Sequence, residues 1–317
     1  MMLTRRHALT ALSGAIPLLA GASAQDYSIS PVSVGDGLWM IHGADEPMLF
    51  ANGGAIANIV ILATPAGTVL VDAGPSVRYG RALKAVAEKL TGKAVIRVYV
   101  THLHPDHGMG IAAFDPAIVA ALPGTIADMA RDGSGFSDAL YRLLGDWMRG
   151  TEIVLPQRKI EQSTEDFGGR TIQLMPLSGH SAADLALLDE RTGTLIAGDL
   201  LFLDRAPSTP TANLARWRDS LTRLAELPHK GAVPGHGPFD PTGVNAIEQT
   251  RAWIDWLDAT LRSAVQSGLD MVEAGNLPIP ERFSGMAAAR YELQRSVSHL
   301  YPGLEAELLP RVDNPAS

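Results

Sequence analysis

The amino-acid sequence predicts an α/β layered domain with a helical C-terminal extension. Three observations carry this expectation. Short runs of β-branched and aliphatic residues are followed by segments of helical spacing, in two successive blocks. Several of those runs end in a glycine-bearing turn that holds a histidine or an aspartate. Beyond residue 240 no strand-like run remains, and two amphipathic stretches follow.

Taken in order, Val32–His42 and Ile56–Asp72 hold the first strands, clearest over 38–41, 58–62 and 68–71, with a hairpin turn at Pro65–Gly67. The loop Ala44–Asn52 between them is apolar at Met48–Phe50. It is expected either to tuck onto the core or to act as a flap that brings Phe50 to a substrate. Val77–Leu90 has helical spacing and a C-cap signal at Gly92. Val95–Val100 is β-branched and aromatic and reads as a buried strand. Ala117–Leu122 is expected as a strand. Gly135–Arg149 is expected as a helix, with Asp132–Gly135 as a hinge before it. Strands are then expected at Ile153–Leu155, Thr171–Leu177, Asp184–Leu188, Thr194–Ala197 and Gly231–Val233, with a helix at Asn213–Leu227. Val244–Ser267 reads as a long amphipathic helix, Pro278–Pro280 breaks the chain, and Gly285–Leu300 is helical again. The last part is expected to cover the core.

The chemistry concentrates after the strand at Val95–Val100. Residues 101–108 read Thr-His-Leu-His-Pro-Asp-His-Gly, which places His102, His104, Asp106 and His107 within six positions. In extended backbone residues i and i+2 point to one side, and Pro105 keeps His104 extended. The chain then turns, so Asp106 and His107 face a second point nearby. A solvated polar turn is the bland alternative, but chance rarely supplies three histidines and an aspartate so closely. Imidazole and carboxylate suit a borderline divalent cation such as zinc. Further donors stand at later strand ends: His180 in Ser178–Ala182, Asp199 after Gly198, and His236 between Gly235 and Gly237. Glycine there permits tight turns and close backbone approach. His42, His229 and His299 stand alone and read as ordinary residues.

The pattern His102-x-His104-x-Asp106-His107, then Gly179-His180, Gly198-Asp199 and Gly235-His236-Gly237, resembles the metallo-β-lactamase-fold hydrolases over roughly residues 28–240. The resemblance implies an αββα sandwich of two mixed β-sheets with outer helices. It implies two Zn²⁺ ions, with iron as an alternative occupant. His102, His104 and His180 would hold one ion, Asp106, His107 and His236 the second, and Asp199 would bridge. Asp72 matches an earlier aspartate of the family that braces the histidine loop. An aspartate at position 199, where true metallo-β-lactamases have Cys or Ser, looks like the glyoxalase II and lactonase branches. The segment Gly198–Ser208 is similar to exported zinc metallohydrolases associated with quinoprotein-relay and sulfur-oxidation systems. Within it Arg205 is expected either to bind an anionic substrate or to pair at the surface with Asp204 or Asp219.

With 317 residues, 46% hydrophobic, the chain has ample length for a core. Its net charge of −8 and the lack of a basic run argue against a nucleic-acid surface. There is no cysteine, so neither disulfides nor thiolate ligands arise. Arg5-Arg6, the apolar stretch Ala8–Ala20 and Ala22-Ser-Ala24 have the layout of a twin-arginine export signal, and that apolar stretch is too short to span a membrane. The expected organisation is an export signal over 1–24, the catalytic domain over 25–268 and helices over 269–317. The expected function is periplasmic hydrolysis of a small-molecule ester, thioester or lactone, with Asp106 and Asp199 handling protons around an attacking water. A β-lactamase, an iron-dependent persulfide dioxygenase and a non-catalytic relay protein are the alternatives.

Overall fold

Two β-sheets pack face to face. The structure, a computed structural model, describes residues 26–309; the expected export segment lies outside the described residues. The first sheet has the order β1 (Val32–Gly35), β2 (Leu38–Ile41), β3 (Ile59–Ala63), β4 (Thr68–Val71), β5 (Val95–Tyr99), β6 (Val119–Ala121) and β7 (Arg158–Lys159). It is antiparallel from β1 to β4 and parallel from β4 to β7. The second sheet comprises β8 (Thr164–Asp166), β9 (Thr171–Leu177), β10 (Asp184–Asp189), β11 (Thr194–Ile196) and β12 (Gly231–Val233), in the order β12-β11-β10-β9-β8. Only β11 and β12 pair in parallel there.

Strand alternation explains the layering. Val60 and Leu62 of β3 point inward, with Val69 and Val71 of β4, onto Leu174, Leu185, Leu187 and Ile196 of the opposite sheet. The intervening Ile59, Ile61 and Leu70 point outward onto Tyr79 and Leu83 of α1 (Val77–Thr91) and Met129 of a later helix. Both faces are buried, so the strands read as continuous apolar runs rather than alternating ones. Helix α1 begins at Ser76, whose side chain accepts from the Tyr79 amide, and ends at Gly92 in the left-handed conformation. A four-residue turn of helix, α2 (Pro105–Gly108), follows β5, and α3 (Pro123–Leu144) follows β6. Against the outer face of the second sheet lie α4 (Leu214–Glu226) and α5 (Asn245–Gln266), burying Trp217 and Trp253. Short helices α6 (Met271–Gly275) and α7 (Glu281–Ser284) lead to α8 (Ala289–Leu308). Leu293, Val297 and Tyr301 of α8 pack on Leu257 and Leu261 of α5.

Three expected elements differ. Asp132–Gly135 is no hinge: α3 starts at Pro123, at its first helical position, and runs through these residues. Gly133 is buried where a Cβ would come 3.1 Å from Ile153, so close packing offsets its low helix propensity. Ile153–Leu155 forms no ladder, and the edge strand is Arg158–Lys159 instead. The strand expected over Ala117–Leu122 shortens to Val119–Ala121, because the Asp115 side chain accepts from the Ala117 amide and holds Pro116–Ile118 in a 3₁₀ turn.

Arg170 ties the sheets together at one edge. Its Nε and Nη2 donate to Asp189 at 2.9 and 2.7 Å, and its Nη1 donates to the carbonyls of Gly37 and Ala63, at 2.9 and 2.8 Å, in the first sheet. Both side chains are fully buried. Replacing one partner strands a buried charge, so Arg170→Met is expected to cost about 3–5 kcal/mol of unfolding free energy in urea titrations. Burial raises the Asp189 pKa, but the bonds from Arg170 and Thr192 outweigh it and hold the carboxyl below its usual range. Its contribution is therefore complete above the unfolded value of about 3.9 and is lost as pH falls through the native value. The stability gap between wild type and Asp189→Asn should be widest at neutral pH and narrow in acid; a gap independent of pH would contradict the charged pairing.

Candidate metal centre

The strand directions bring the donors to one edge of the sandwich. Asp72 follows β4 and the histidine cluster follows the parallel β5. In the other sheet, β9 and β11 both flank the antiparallel β10, and β12 runs parallel to β11, so His180, Asp199 and His236 emerge at the same edge. Two groups result. His102, His104, His180 and Asp199 each offer a ligand atom within 4.8 Å of the others, and so do Asp106, His107 and His236. All seven residues are buried.

In the first group the His104 Nδ1 lies 3.0 Å from His102 Nε2 and 2.8 Å from His180 Nε2. Hydrogen bonds behind the rings set which nitrogens face inward. Thr101 Oγ1 donates to Asp72 Oδ2 at 2.8 Å, so it accepts from His102 Nδ1 at 3.0 Å, leaving the His102 Nε2 lone pair toward the centre. Thr211 Oγ1 donates to the His180 carbonyl at 3.2 Å and so accepts from His104 Nε2 at 3.3 Å, which leaves His104 Nδ1 bare. Burial holds all three imidazoles neutral: His104 is lowered to about 4, and His102 and His180 lie well below the ordinary value. Three neutral nitrogens aimed at one point form a ready cation site.

In the second group His107 donates from Nδ1 to Asp72 Oδ2 at 2.7 Å, which turns Nε2 inward. That Nε2 lies 3.0 Å from Asp199 Oδ1. Burial opposes protonation of His107, but Asp199, Asp72 and Asp106 outweigh it and raise its affinity for a proton. His236 Nε2 lies 3.3 Å from Asp199 Oδ1 and 3.4 Å from Asp106 Oδ2. The other oxygen of Asp199 turns to the first group, 3.3 Å from His180 Nε2. One carboxylate therefore faces both groups, one oxygen to each. His107 Nε2 and Asp199 Oδ1 are buried with no hydrogen-bond partner among the described residues, the state of donors directed at a cation. The residues present fit two divalent cations.

Residues that sequence reading passed over build the loops. Asn58 donates to the carbonyls of Pro234 and Gly237, at 2.9 and 2.7 Å, and so clamps the His236 turn. Its signal was a lone amide opening an apolar strand. Asp184 accepts from the Ser181 amide and hydroxyl and shapes the His180 turn; burial pushes its carboxyl up to about 6. Gly235 has to be glycine, because a Cβ would stand 2.0 Å from Asp199 Oδ1.

A cavity of about 230 Å³ opens onto the centre, and Asp106, Asp199 and His236 form its floor. Met48, not Phe50, reaches its wall. Phe50 lies in a 3₁₀ turn and is half-exposed, with its carbonyl held by Trp147 Nε1 at 2.9 Å. Arg205 borders the cavity, but its expected surface pairing with Asp204 or Asp219 is not made. It is buried and donates to Glu292 of α8 at 3.1 Å, since the 205–209 loop turns under that helix. Tyr291, Glu292 and Arg295 complete the wall, so α8 does more than cover the core. His42 and His229 lie away from the centre, bonded to Asp45 and to the carbonyls of Leu227 and Gly243.

A model of the metallo-beta-lactamase superfamily matches residues 52–236. No curated protein matches the sequence. Among solved structures, the metallo-beta-lactamase from Pontibacter korlensis superposes with a TM-score of 0.58 at 18% identity, covering 72% of this chain and 99% of that one. FIM-1 from Pseudomonas aeruginosa, solved in a mono-zinc form, gives 0.58 at 17%, covering 73% and 96%. The enzyme from Hirschia baltica gives 0.56 at 20%, covering 72% and 98%. At these identities the likeness speaks for the fold. The family match spans more than half of the chain and includes every donor of both groups, and the chain belongs to the metallo-beta-lactamase superfamily.

Proposed function

We propose that this chain is an exported, dinuclear zinc hydrolase that cleaves an ester, thioester or lactone-type bond of a small molecule. The observation that carries the reading is Asp199, whose two oxygens face the two donor groups separately. His102, His104 and His180 would hold one ion, and Asp106, His107 and His236 the other. A bound zinc pair supplies hydroxide near neutral pH and polarises the bond under attack. Asp72 and Thr101 keep the imidazoles in the metal-facing tautomer, and Thr211 does the same for His104. Asp106 and Asp199 border the cavity and would accept and return protons there. Export is proposed on Arg5-Arg6 and the apolar stretch behind them.

Zinc-loaded protein should carry about two ions per chain, read by elemental analysis, and should hydrolyse thioesters or lactones faster than nitrocefin. A single ion, or iron with oxygen uptake, would replace this reading. Asp199→Ala should fall to one zinc or fewer and lose most turnover while still folding, and Asp199→Asn should lose metal affinity with less structural cost. If Asp199 only capped a turn, the alanine variant would cost about 1 kcal/mol and keep both ions. Changing Arg5 and Arg6 together to lysine should leave the protein in the cytoplasm on fractionation; normal periplasmic delivery would refute twin-arginine export.

A further inference from the structure

Residues 26–30 precede β1 and lie in no helix or strand. They alternate: Tyr27 and Ile29 are half-buried, while Asp26, Ser28 and Ser30 are exposed. Side chains therefore fasten this segment. Ile29 packs on the core between the first sheet and α1. Tyr27 also reaches the loop 44–54. Its hydroxyl has one proton and donates it to the Gly53 carbonyl at 2.7 Å. The Ser76 hydroxyl, 3.1 Å away, then donates to Tyr27 Oη, which ties the loop to the N-cap of α1. Burial raises the Tyr27 pKa against the opposing pull of Ser76 and Arg78, so the phenol stays protonated and donating at neutral pH. Its ring centroid lies 4.4 Å from that of Trp147 and 5.0 Å from that of Tyr79. Trp147 grips the loop at a second point, donating from Nε1 to the Phe50 carbonyl at 2.9 Å. Gly53, at φ 59°, sits against both rings: a Cβ there would stand 2.8 Å from Tyr27 and 2.8 Å from Trp147. The loop is thereby drawn down, and Met48 packs beside Tyr27 on the cluster of Met109, Leu140, Leu144 and Trp147. Met48 in turn borders the metal cavity.

We propose that Tyr27 is a positioning residue for the cavity: from the N-terminal segment it pins the loop 48–54 against Trp147 and so fixes Met48 as part of the cavity wall. Tyr27 is not among the residues that line the cavity, so it acts through the loop. The donor turns are held by other side chains, Asp72, Asn58 and Asp184. Losing the strut should therefore weaken substrate binding and leave the metal content and the chemical step in place. The inference rests on the hydrolase reading only for its kinetic readout; the loop and the Met48 side chain can be followed without turnover.

The test compares zinc-loaded full chain as wild type, Tyr27→Phe, Met48→Ala and Ile29→Ala. Tyr27→Phe keeps the ring and removes the hydroxyl. Amide hydrogen exchange read by mass spectrometry should quicken about fivefold across residues 48–56 in Tyr27→Phe, the scale of one lost hydrogen bond, and stay unchanged across β3. Ile29→Ala, which trims the same segment where it meets the sheet core, should leave residues 48–56 at the wild-type rate. With methionine methyls labelled by ¹³C, the Met48 resonance, assigned by its loss in Met48→Ala, should shift in Tyr27→Phe and not in Ile29→Ala. With 4-nitrophenyl hexanoate, KM should rise about fivefold in Tyr27→Phe while kcat stays within about twofold. Tyr27→Phe added to Met48→Ala should change KM little further, because both act through one contact; fully additive effects would overturn the route through Met48. Unchanged loop exchange, or a quicker loop with KM unaltered, would overturn the positioning role. If wild type does not hydrolyse the ester, the hydrolase reading fails alone. Exchange and the Met48 resonance then decide the strut, which falls if Tyr27→Phe and Ile29→Ala affect them equally or neither does.

Discussion

The carboxylate of Asp72 sets the geometry on which the rest of the centre depends. It accepts from the Thr101 amide, the Thr101 hydroxyl and His107 Nδ1, so one side chain at the end of β4 locks the loop that leaves β5. Its backbone is left-handed, with φ 63°, a conformation that costs a non-glycine residue on the order of 1–3 kcal/mol. Three hydrogen bonds to a buried anion are what hold it there. Through Thr101 the same carboxylate determines which nitrogen of His102 faces inward. Two imidazoles, one toward each donor group, thus take their orientation from one residue that would bind neither ion.

A collection of buried acceptors is unstable without something to accept from. The first group presents imidazole nitrogens to one another at hydrogen-bond distance, and burial keeps those rings neutral. The second gathers carboxylates around His107 and raises its proton affinity. Two divalent cations would relieve both conditions at once, replacing lone-pair repulsion and excess negative charge by coordination. The sandwich can bear this strain because the strands beneath are buried on both faces and the sheets are cross-tied by Arg170.

The C-terminal helix changes the meaning of the cavity. Glu292 and Arg295 of α8 stand beside Arg205 at the cavity, where Arg205 donates to the buried Glu292 carboxylate. Thr209 joins Ser296 by a 2.8 Å hydrogen bond, and Ala206 and Ala287 join by their backbones, so the helix is docked on the loop that follows Asp199. Residues of the donor loops and of the C-terminal helix, nearly a hundred positions apart, therefore line one cavity.

The donors were legible in the sequence because their chemistry is local. Two histidines two apart after a strand, a proline that keeps the second extended, and glycines beside the later donors are short-range signals. Element order was legible for the same reason, through apolar runs and the cap signal at Gly92. The interior of α3 was not, since the tolerance of Gly133 comes from Ile153, which approaches only in the folded chain. Nor was the fate of Arg205: the expected partners were Asp204 and Asp219, yet its partner is Glu292. Thr211 and Asn58 orient donors through bonds to groups that meet only when the two sheets close, and Thr101 through Asp72 on the neighbouring strand. By itself the sequence determined which residues can bind metal and on which strand ends they stand, because both follow from side-chain chemistry and backbone periodicity. The tertiary structure alone decided which tautomer each imidazole holds and what lines the cavity beside them, because those depend on distances between segments remote along the chain.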